Sequence, residues 1–111
     1  MLIILERHWT MNHILLAALI AGSIGSAGTA RAAGDAAAGQ AKAKACAMCH
    51  GPAGQGTQVG PKIAGLDQAR FVQALKDFKS GKRDNALMKL QAGPLGDADE
   101  ANLAAYYATL K

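Results

Sequence analysis

The sequence predicts an all-α domain, and three observations carry that prediction. Apolar residues recur at helical steps of three and four in separate segments, each opened or closed by capping residues. No segment shows sustained alternation of β-branched residues, the mark of a half-buried strand. Between the helical stretches lies a run dense in Gly and Pro, which is loop composition.

Residues 1–32 stand outside that domain. "MNHILLAALIAGSIGSAGTARAA" reads as an export signal: a polar start at Met11, an apolar run from Ile14 to Ile20, then small residues. Ala30-Arg31-Ala32 fits small-x-small cleavage and places the domain at 33–111. The apolar run is short and too rich in Gly and Ser for a good membrane span. Glu6 in the preceding "MLIILERHWT" is odd for a signal start, which points to translation from Met11 or to loss of the extension with the signal. An uncleaved anchor is the alternative. Export implies an oxidising compartment, the periplasm.

Each helix has its own warrant. Asp35 is an N-cap for the alanine-rich "AAAGQAKAKACAMCH", which should bring Cys46 near a helix C-terminus. "GPAGQGTQVGPKIAG" (51–65) holds five Gly and two Pro, and a loop that long is usually functional. Asp67 caps a second helix in which Phe71, Leu75 and Phe78 share a face, with Gly81 at its exit. A turn or two of helix is expected around Leu87–Gln91. Asp97 and Glu100 have capping-box spacing for a last helix, on which Leu103, Tyr106 or Tyr107, and Leu110 line one side.

Composition then narrows the function. The 111 residues allow one small domain; half are apolar, but many of these are Ala, and aromatics are 5%. Alanine buries little area, so the core is thin and calls for a disulfide, a metal or a prosthetic group. Losing Arg7, Arg31 and Glu6 with the leader lowers the net charge from +4 to +3. No dense basic stripe with interleaved aromatics appears, so nucleic acid is not a partner. Most lysines read as a solvated face that can still steer an acidic protein.

The two cysteines both lie in "CAMCH" (46–50), which four chemistries could use: a redox switch, half a zinc site, a structural disulfide, or covalent haem attachment. A closed zinc site needs four ligands, and past the leader there are only Cys46, Cys49 and His50. A thioredoxin-like motif needs a parallel sheet, and no strand is apparent. A disulfide across so short a loop stabilises little and leaves His50 without a task. C-x-x-C-H in an exported, all-α, thin-cored chain therefore reads as one attached haem c. Cys46 and Cys49 would add to its two vinyl groups, and His50 would bind the iron.

A sixth ligand must come from elsewhere. No second histidine remains past the leader, and Met48 sits inside the attachment loop on the histidine side. Met88, 38 positions past His50, has enough chain before it to wrap the haem. Its competing reading is a gap-filler in the core. Thioether ligation raises the reduction potential and closes the iron to substrates, which argues for electron transfer.

From about Asp35 to Lys111 the chain resembles the small class I cytochromes c of bacteria. The likeness is carried by Cys46, Cys49, His50 and Gly51, then "GPKIAG", "FVQALKDFKSGKR", Met88 and "LGDADEANLAAYYATL". It extends to single-domain periplasmic cytochromes, to one half of dihaem cytochromes c, and to the cytochrome subunit of flavocytochrome c sulfide dehydrogenases. "DNALMKLQ" lacks the proline and paired methionines often found there. The resemblance implies about four short helices around one haem, the first and last crossing at Gly39 and Tyr106 or Tyr107. It also implies that the Pro61 carbonyl accepts the Nδ1 proton of His50. Arg83 and Lys82 read as a solvated pair near, at most, a propionate.

The expected function is that of an electron carrier with no catalytic residues. Its partners would be a quinol-oxidising complex, a terminal oxidase or reductase, or a periplasmic dehydrogenase, with membrane contact only through them. The alternatives are a haem subunit of such a dehydrogenase and, from another class, a ligand-binding haem sensor.

Overall fold

The computed structural model describes residues 34–111, and the expected leader, 1–32, lies outside the described residues. These residues form five α-helices and, among themselves, no strand: α1 Ala36–Lys42, α2 Lys44–His50, α3 Gln68–Ser80, α4 Ala86–Ala92 and α5 Asp97–Ala108. The all-α expectation is met. None of these helices is long and apolar enough to cross a membrane.

Side-chain caps start three of the five. Asp35 accepts from the N–H of Ala37 at 2.9 Å and of Ala38 at 3.3 Å. Asp67 accepts from Arg70 N–H at 3.0 Å, and Asn85 from Met88 N–H at 3.0 Å. Each bond satisfies a donor that the first helical turn leaves orphaned, worth about 1 kcal/mol.

Two expectations need correcting. The first helix is divided at Ala43, a buried residue at φ −69, ψ −10, so α1 and α2 are separate short helices. The last helix is capped one residue earlier than expected, because Asp99, not Glu100, reaches back to the N–H of Gly96 (3.2 Å). Glu100 is instead fully buried.

The core is a small cluster of Ala43, Phe71, Leu75, Ala92, Leu103, Ala104 and Tyr107. Phe71 of α3 stacks on Tyr107 of α5 with ring centroids 5.4 Å apart, which ties these helices together. Helix α5 is central: α1 and α3 both pack on it, and α4 packs on α3. The α1–α5 crossing is very close, since a Cβ on Gly39 would lie 2.0 Å from the Asn102 carbonyl oxygen. Only glycine lets the two backbones meet. Asn102 Oδ1 also accepts the Asp35 N–H at 2.7 Å, fixing the start of α1 against α5.

Candidate functional site

Helix α2 carries Cys46, Cys49 and His50. Steps of three and four put all three on one face of it. Both thiols are free; Cys46 is half-buried against the core and Cys49 is exposed. Burial pushes the Cys46 thiol up from its ordinary range, opposed by a hydrogen bond with the Tyr107 hydroxyl. Burial likewise raises the Tyr107 phenol, with the neighbouring Cys46 adding to the shift.

His50 is buried at the end of α2, 8% exposed. Its Nδ1 lies 2.7 Å from the Pro61 carbonyl oxygen. A carbonyl can only accept, so Nδ1 carries the hydrogen and Nε2 keeps a free lone pair. The imidazole is thereby fixed in tautomer and orientation, with Nε2 left as its available donor atom.

The loop that brings Pro61 there is built for it. Thr57 Oγ1 donates to the Cys49 carbonyl and accepts from Val59 N–H at 3.0 Å, while Thr57 N–H donates to Gly60 O at 2.8 Å. These bonds fasten residues 57–60 to the end of α2. Gly60 passes so close that a Cβ there would lie 2.8 Å from Cys49 O and 3.0 Å from His50 Nδ1. The sequence reading missed Thr57; T-x-x-G is a turn signal that marks it.

Met88 belongs to a different part of the fold, α4, where it is half-buried and packs against the core cluster. Met48, by contrast, is 86% exposed. The structure thus joins Cys46, Cys49, His50 and Pro61 in one unit and sets Met88 on the helix packed on α3. Arg83 lies 4.5 Å from the centre of the Phe78 ring, a contact the sequence reading did not include.

The residues present fit a covalently held haem. Two free thiols and an imidazole with an available Nε2 share one helix face. Val59, beside the Gly60-Pro61 turn, and Leu87 and Leu90, flanking Met88, are 70%, 67% and 70% exposed. Large apolar side chains left uncovered on so small a domain leave room for an apolar group to cover some of them. No group of three or more His, Cys, Asp or Glu among the described residues is arranged to hold a bare metal ion.

Comparison with known proteins agrees with that chemistry. The family model "Cytochrome c" matches residues 36–111. Cytochrome c4 of Pseudomonas aeruginosa is 42% identical over 102 residues, covering 91% of this chain and 50% of that protein. Cytochrome c-554(547) of Halothiobacillus neapolitanus is 44% identical over 91 residues, covering 71% of this chain and all of that protein. Among solved structures, Acidithiobacillus ferrooxidans cytochrome c4 superposes with a TM-score of 0.61 at 33% identity, covering 68% of this chain and 51% of that one. The chain spans about half the length of the cytochrome c4 relatives it matches.

Proposed function

This chain belongs to the cytochrome c family, and on that premise we propose that it is an exported monohaem cytochrome carrying single electrons between redox proteins. One observation supports this reading above the others: His50 is buried with Nδ1 committed to Pro61, on the helix face that bears Cys46 and Cys49. That arrangement prepares one nitrogen as an iron ligand beside two thiols that can form thioethers.

Bound haem supplies a one-electron Fe(III)/Fe(II) couple. The chain's residues hold it in place. Cys46 and Cys49 would attach it, and His50 Nε2 and the Met88 thioether would bind its iron. Pro61 and the Thr57 turn keep the imidazole from rotating, so little would rearrange between oxidation states. A rigid ligand set lowers the cost of electron exchange. No residue is assigned a catalytic role.

Lys44, Lys62, Lys82 and Lys89 are exposed. With a net charge of +3 once the leader is lost, they favour acidic redox partners bound briefly and in a salt-dependent way. A quinol-oxidising complex, a terminal oxidase or reductase, or a periplasmic dehydrogenase fits that description.

Absorption spectra of the oxidised and reduced protein, made in cells with c-haem maturation machinery, test the reading. The wild type should be low-spin and inert to carbon monoxide; Met88→Ala should turn high-spin and bind it. An unchanged Met88→Ala spectrum would make Met88 a core residue and remove the ligand pair on which electron carriage rests.

A further inference from the structure

Lys79, the penultimate residue of α3, turns its charge into the fold. Its Nζ donates to Glu100 Oε1 at 2.9 Å and to the Leu95 carbonyl oxygen. Glu100 is fully buried, and its Oε2 has no hydrogen-bond partner among the described residues. A buried carboxylate without compensation is strongly disfavoured. Lys79 is the cation that neutralises it and is therefore held where it is.

Leu95 lies three residues beyond the end of α4, and its N–H bonds the Ala92 carbonyl at 3.1 Å. The same ammonium that neutralises Glu100 thus ties down the backbone directly after the helix that bears Met88. At the other end Asn85 holds Met88 N–H at 3.0 Å. A helix of seven residues does not persist by itself in water, so such end fastenings fix where α4 sits.

We propose that Lys79 is a positioning residue for the Met88 thioether, acting through Leu95 and anchored by Glu100. The inference rests on the reading of Met88 as axial ligand. Its consequence is specific: releasing the bracket lets α4 move and exposes the sixth position to other ligands.

The test uses the full haem-loaded protein and the affinity of its ferric form for imidazole, with the thioether-to-iron charge-transfer band as a second readout. Lys79→Met with Glu100→Leu removes both charges and leaves no lone buried ion. Loss of a charged hydrogen bond should raise imidazole affinity at least about tenfold and weaken the band. The near-isosteric Glu100→Gln, which frees the ammonium to turn outward, should shift both in the same direction. Lys79→Arg, which keeps both contacts, should restore wild-type behaviour. Gly39→Ala serves as a control for general destabilisation, since its clash falls on Asn102 and Tyr106 and not on Leu95 or α4. Wild-type affinity in both the double variant and Glu100→Gln would overturn the proposal. So would an equal rise in Gly39→Ala. An unchanged spectrum in Met88→Ala would separately overturn the ligand reading beneath it.

Discussion

His50 donates its Nδ1 hydrogen to the Pro61 carbonyl oxygen across 2.7 Å, and Gly60 is what lets the two approach. A side chain on residue 60 would meet Cys49 O and His50 Nδ1 at 2.8 and 3.0 Å. Gly60→Ala should therefore push the loop outward and lengthen the bond. Overpacking of this kind costs about 1–3 kcal/mol, which denaturant unfolding would show. A weaker bond makes Nε2 a poorer donor to ferric iron, so the reduction potential should rise. A variant with unchanged potential would mean that the carbonyl does not tune the histidine.

The α1–α5 crossing sets up the opposite test of a glycine. Alanine at an exposed helical site would gain about 1 kcal/mol over glycine. At Gly39 the added Cβ would lie 2.0 Å from Asn102 O and 2.9 Å from Tyr106 Cβ, so the helices must separate. Sterics should win over propensity: Gly39→Ala should lose about 1–3 kcal/mol net. An increase in the urea midpoint would show that the crossing yields easily.

These two positions also show what the pattern of residues could and could not reveal. The caps at Asp35 and Asp67 and the C-x-x-C-H stretch are local signals, and each was legible. The break at Ala43 was not, because the residues around it, "QAKAKAC", are mostly good helix formers and nothing local marks where the run divides. The α5 cap was misplaced for a related reason. Gly96 with Asp99 and Asp97 with Glu100 have the same spacing, and the choice is made by Lys79, 21 residues before Glu100, which pairs with it. Long-range pairing leaves no periodic trace. The loop bonds of Thr57 are local, and the T-x-x-G turn would have disclosed them.

Tyr107 provides a pH signature. Its buried phenol is raised above the ordinary value, while the unfolded chain ionises tyrosine at about 10. Above that pH the unfolded state binds fewer protons than the folded one, so stability falls as pH rises. Below it both states keep the proton and the contribution is constant. Tyr107→Phe retains the ring that stacks on Phe71 but has no proton to lose. Thermal unfolding of the haem-loaded protein should therefore fall less steeply with pH above about 10 in Tyr107→Phe than in wild type. Parallel alkaline limbs would show that the phenol ionises equally well in both states.

The start of α5 separates the contribution of a surface ion pair from that of a cap. Asp99 Oδ1 stands 3.5 Å from Lys42 Nζ, with the two side chains 34% and 50% exposed, while its Oδ2 accepts the Gly96 N–H at 3.2 Å. Exposed pairs contribute about 0–1 kcal/mol and weaken with salt. A helix cap contributes about 0.5–2 kcal/mol through a hydrogen bond to an orphaned donor, with little salt dependence. Lys42→Ala should thus cost less than about 0.5 kcal/mol, and that loss should vanish at high salt. Asp99→Ala should cost about 1 kcal/mol more, and the excess should survive in salt. Asp99→Asn keeps an acceptor for Gly96 but loses the charge, so it should resemble Lys42→Ala. Unfolding midpoints at low and high ionic strength distinguish these cases. Equal, salt-sensitive losses in Lys42→Ala and Asp99→Ala would mean that the ion pair, not the cap, holds the first turn of α5 against α1.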